Sequence, residues 1–117
     1  MIYVDGIVLP VKAGTSRAAY AAFAESVAPI FKDHGATRVV DCWGDDVPDG
    51  QHTDFRRAVQ AEDGETVVFS WIEWPDKATR DAGMAKVRDD PRMQSPGDMP
   101  IDGKRMIFGG FQAVADC

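Results

Sequence analysis

Residues 41–50, DCWGDDVPDG, place four aspartates, a cysteine and a tryptophan in ten positions. Carboxylates this dense could hold a divalent cation, because hard cations take oxygen ligands. Tested as a calcium loop from Asp45, the stretch has Asp49 fifth and Gly50 sixth. Val47 stands third, however, and Arg56 stands twelfth, where a bidentate glutamate belongs. That excludes an EF-hand. Val-Pro-Asp-Gly is a good type I or II turn. The expectation is a solvated acidic turn and no metal site, with Asp45, Asp46 and Asp49, joined by His52, as weak candidates.

Other reactive side chains are few. His34 falls at the end of a helical pattern, where it interacts with the terminal carbonyls. His52 lies in a loop that could rim a pocket. Cys42 sits within a strand, where cysteine is usually a small core residue. The sequence has no G-x-S-x-G, no Walker loop and no H-E-x-x-H, and Lys104 lacks the glycine-rich run of a phosphate cradle. No cofactor is expected. The more informative polar residues are carried inside strands: Asp5 and Asp41, with Arg105 on the neighbouring last strand.

The elements that must position them read clearly. IYVDGIVLPV is β-branched and closed near Pro10, so it is a strand. Thr15 or Ser16 caps a helix whose apolar residues Tyr20, Phe23, Val27, Ile30 and Phe31 recur at spacings of three and four. Pro29 should loosen its last turns, and Gly35 stops it. ATRVVDCW is a second strand, FRRAVQA a short extended arm, and TVVFSWIEW the strongest strand of all. Pro75-Asp76 opens a second helix that Pro91 ends, and Gly83 within it needs a local reason. Residues 92–103 form a turn-rich loop. KRMIFGGFQAV is the last strand, with Gly109-Gly110 marking a bulge or a close backbone approach.

The expected order is β-α-β-β-α-β: an α+β, ferredoxin-like single domain spanning residues 1–117. Two helices cover one sheet face. Yet VVFSWIEW is apolar on both, with Val67, Phe69 and Trp71 on one side and Val68, Ile72 and Trp74 on the other. A face-to-face homodimer would cover the second. The smooth parities Ile2/Val4/Val8 and Val40/Cys42 suit the helix side. Tyr3, Asp5, Ile7, Val39, Asp41 and Trp43 then face the space between the sheets. Buried carboxylates need a partner, and Arg105 is the candidate.

Composition sets outer limits. At 117 residues, 44% hydrophobic and 27% charged, the chain is an ordinary globular domain. No apolar run approaches the ~20 residues of a membrane span, and the N-terminus lacks a basic leader. The net charge of -6 argues against a nucleic-acid partner. Two distant cysteines make neither a disulfide framework nor a structural zinc site. A cytoplasmic location is expected.

YVDGIVLPV, GDDVPDG, RAVQAEDGETVVFSWIEWP, RDA, DPRM and MPIDGKRMIFGGF, running in order from Tyr3 to Phe111, resemble the YbaA-like family, domain of unknown function 1428. The resemblance implies a dimeric α/β barrel and no established activity. Related barrels include cofactor-free monooxygenases and haem-degrading enzymes, an analogy of fold alone.

These readings lead to a protein that binds a small organic molecule in a sheet-lined pocket walled by Tyr3, Trp43, Phe69 and Trp71, with His52 at its rim. The alternative is a cofactor-independent monooxygenase or isomerase acting on an aromatic or enolisable substrate. There Asp5 or Asp41 is the base and Arg105 stabilises the developing anion. A structural interaction module without a ligand is the third reading.

Overall fold

A computed structural model describes residues 1–94 and 99–117 of the chain. Four strands form one antiparallel sheet: β1 (Tyr3–Val11), β2 (Arg38–Trp43), β3 (Thr66–Trp74) and β4 (Ile107–Gln112), in the order β2-β3-β1-β4. The helices are α1 (Arg17–Asp33), the one-turn α2 (Phe55–Ala58) and α3 (Lys77–Asp89), followed by a 3-10 turn at Pro91–Gln94. The remaining positions of the expected turn-rich loop include residues 95–98, which lie outside the described residues.

Local chemistry fixes the helix ends. The Ser16 side chain accepts from the Ala19 amide at 3.0 Å and starts α1. Gly35, at φ 114, takes the left-handed conformation that leads the chain out after the His34 cap. Asp76 starts α3 by accepting from the Thr79 amide at 2.7 Å. FRRAVQA is not an extended arm. Asp54 accepts from the Arg57 amide at 2.7 Å and winds Phe55–Ala58 into a single turn. Four residues are too few for an apolar period to show, so the cap is the signal that mattered.

Both long helices lie on one face of the sheet. Tyr20 of α1 reaches Asp41 and Trp43 of β2, and Arg80 of α3 reaches Asp5 of β1. Beneath them Leu9, Val11, Tyr20 and Val68 form one apolar cluster, and Ala36, Ile72 and Trp74 form another. The register Tyr3↔Trp74, Asp5↔Ile72 and Leu9↔Val68 puts these side chains on the same side. The expected faces are therefore reversed. Tyr3, Asp5, Ile7, Val39, Asp41 and Trp43 lie under the helices, and Val4, Val8, Val40 and Cys42 lie on the opposite face. The physical reason is that Tyr20 of α1 and Arg80 of α3 bring hydrogen-bonding partners to both aspartates, so the polar positions are satisfied under the helices and not between two sheets.

Gly83 has its local reason. A Cβ there would collide with the His34 carbonyl and the Trp74 ring, so α3 can lie this close to the fully buried Trp74 only through glycine. Gly109-Gly110 marks a close approach rather than a bulge, because the β1–β4 register runs unbroken through both.

Candidate functional site

The described side chains include ionic clusters around Arg80, Arg105 and Arg92, and one apolar depression. Asp5 is 4% exposed, and both of its oxygens are engaged. Arg80 donates from Nη2 to Oδ1 at 2.7 Å and from Nε to both oxygens at 3.1 and 3.2 Å, while Trp74 Nε1 donates to Oδ2 at 2.9 Å. The guanidinium also lies over the Tyr3 ring, 5.1 Å from its centroid. It donates to Asp81 Oδ1 at 3.0 Å. The Asp5 hydrogen bonds raise the Arg80 pKa further above its ordinary value. Gly110, opposite Asp5 in β4, leaves the room: a Cβ there would meet the Tyr3 hydroxyl and Arg80.

Asp41 accepts from the Tyr20 hydroxyl at 2.8 Å. Burial, and then the Asp41 carboxylate, push the Tyr20 phenol well above the ordinary tyrosine value. Trp43 packs 5.8 Å from the Tyr20 ring. Trp43 and Tyr3 are thus core residues on the helix side, on the opposite face from Phe69 and Trp71. The expected wall of four aromatics does not assemble.

Arg105 does not meet either aspartate. It forks onto Glu65 with two contacts of 2.7 Å, donates to Asp102 at 2.7 Å and to the Gln60 carbonyl at 2.8 Å. Its hydrogen bonds hold the Glu65 carboxyl below the usual glutamate range. This clasp ties the segment before β4 to the loop before β3. Nothing in the local pattern marks Glu65, since its partner stands 40 positions away.

Beyond β2 the acidic stretch is a largely exposed irregular loop, and its residues 47–50 form no hydrogen-bonded turn. Asp54 accepts from the Gly50 amide at 3.1 Å and closes the loop onto α2. Asp45, Asp46, Asp49 and His52 are exposed or near the surface. Among the described residues no group of three or more histidine, cysteine, aspartate or glutamate side chains is gathered as a metal site. A polar depression of about 390 Å³ lies beside Asp49, Asp54, Arg56, Arg57 and Gln60. Its arginines are engaged locally: Arg56 donates to the Glu65 and Glu62 carbonyls, and Arg57 pairs with Asp54. His34 closes the C-terminal end of α1 against Asp90, at 2.8 Å.

The opposite face of the sheet carries the depression of interest, an apolar trough of about 720 Å³. Val4, Val8, Phe69, Trp71, Ile107 and Phe111 line it, and Gly6 with its cross-strand neighbour Gly109 lies at the floor. Phe111 leans over both glycines, within van der Waals contact of where their Cβ atoms would stand. Phe69 is 45% and Phe111 62% exposed. The segment after α2 roofs one end, where Val59 and Ala61 pack on Val8 and Val67 and Phe55 meets Phe69 edge-on at 6.1 Å. Of the expected ligand-contacting residues, Phe69 and Trp71 line this trough, and His52 does not.

The family model described as "Protein of unknown function (DUF1428)" matches residues 2–103. The chain belongs to the DUF1428 family. Proteins described as "Uncharacterized protein YbaA", from Escherichia coli K12 and from Shigella flexneri, are each 56% identical to it over 117 residues, covering 99% of this chain and 99% of their own. The DUF1428 match takes in β1 to β3 and the three helices and ends before β4, while the two relatives extend across β4 as well.

Proposed function

We propose that this DUF1428 protein is a cytoplasmic, ferredoxin-like single domain that pairs through its uncovered sheet face into a homodimeric α/β barrel. Between the two sheets it binds a small, largely apolar organic molecule. The uncovered trough carries this reading. Soluble monomers rarely leave a contiguous apolar patch beyond a few hundred Å², and here aromatic side chains from both β3 and β4 stand open on one face. The strand order β2-β3-β1-β4, with α1 and α3 on the other face, supports the ferredoxin-like assignment.

The catalytic alternative draws less support. Asp5 is enclosed by Trp74 and Arg80, Asp41 is held by Tyr20, and Arg105 is engaged elsewhere, so none of these three expected catalytic residues faces the trough. Native mass spectrometry of the purified protein tests the proposal. The expected spectrum is a dimer carrying additional small-molecule mass. Phe69→Asp should give a folded monomer without that mass. A wild-type monomer under gentle conditions refutes the barrel, and a Phe69→Asp dimer moves the interface elsewhere.

A further inference from the structure

We propose that the molecule held in the trough is an amine: an aromatic or alkyl body carrying a protonated nitrogen, which Glu73 receives. This rests on the reading of the trough as a ligand site and adds its chemical class. Glu73 is the one ionisable residue among the trough's described lining. It follows Trp71 by two positions on β3, on the same face, and the Trp71 indole Nε1 donates to Oε2 at 2.9 Å. That hydrogen bond points the carboxylate along the aromatic wall, where Phe69 and Trp71 stand 5.8 Å apart between centroids. The second oxygen, Oε1, accepts no hydrogen bond from the described residues.

Charge decides the class of ligand. Arg38 on β2 is the cation nearest to Glu73, but its Nη1 stands 3.6 Å from Oε2, beyond hydrogen-bond length, and its side chain is 64% exposed. Such a surface pair is weak and exchangeable. An anionic ligand would meet the Glu73 charge across an apolar surface. A neutral one would leave the carboxylate's free oxygen to water. An ammonium gains a charge-assisted hydrogen bond at Oε1 and a favourable place against the Trp71 and Phe69 rings.

The test uses three probes with one body and different charge: phenethylamine, phenethyl alcohol and hydrocinnamate. Binding is followed at neutral pH by NMR of the three tryptophan indole N–H signals, with Trp71→Phe assigning the relevant one. The Trp71 signal should move and those of Trp43 and Trp74 should not. The amine should bind roughly tenfold or more tighter than the alcohol, as one charge-assisted hydrogen bond implies, with the carboxylate weakest. Glu73→Gln should erase the amine's advantage and leave affinity for the alcohol intact. Equal affinities in the wild-type protein, or an amine preference that survives Glu73→Gln, overturn the amine assignment while keeping the trough as a site. A Trp71 signal unmoved by all three probes overturns both.

Discussion

Asp5 and Asp41 share a residue type, a sheet and a face, but their surroundings differ enough to give them different weights. Asp5 is enclosed, with its charge balanced by Arg80 and its second oxygen capped by Trp74. Arg80→Met leaves that carboxylate without its cation, and removing one partner of such a pair costs about 3–5 kcal/mol. Asp41 is half-buried and loses one neutral donor in Tyr20→Phe, for which about 1 kcal/mol is expected. Chemical denaturation of the two variants should give that order. Equal losses would mean that water already reaches Asp5. The sequence marked both aspartates as significant and missed their partners. Tyr20 was legible as a core position, but its hydroxyl contact 21 positions away was not. Arg80 lies 75 positions from Asp5. Without the partner's location a polar residue in an apolar strand is as easily assigned to the space between two sheets as to the side under the helices.

The elements were more legible than the faces. β1 and β3 announce themselves through dense β-branched and aromatic runs, and Ser16, Gly35, Asp76 and Pro91 bracket the long helices with ordinary cap chemistry. The failures occurred where periodicity had nothing to grip. A single turn at Phe55–Ala58 has no repeat, and β1 is apolar at both parities, so its register toward the helices cannot be read from smoothness. Gly83 shows how helix propensity yields to packing. Replacing it with alanine should add about 1 kcal/mol of helix preference. The new methyl would meet a backbone carbonyl that cannot rotate away and the ring of Trp74, an overpacking cost of about 1–3 kcal/mol. Gly83→Ala should therefore lower the melting temperature despite the better helix former. A rise would show that α3 can slide off the sheet cheaply.

For the molecule as a whole, the proposed pairing makes stability a function of protein concentration. If folding and association are one event, each tenfold rise in concentration adds about 1.4 kcal/mol per dimer. The expected outcome is a melting temperature that falls steadily over a hundredfold dilution series, and a flat series would place the trough on a stable monomer. A different consequence follows from the strand order. β1 is the first strand made and sits inside the sheet, with β3 on one side and β4 on the other. On the ribosome it must therefore wait, first for residues 66–74 and then for 107–112, before both its edges are satisfied. The first of the four strands is thus the last to have both its edges paired. Through most of synthesis the nascent protein exposes an apolar strand with a bare edge, which is the form most prone to pair with the wrong chain and most in need of a chaperone.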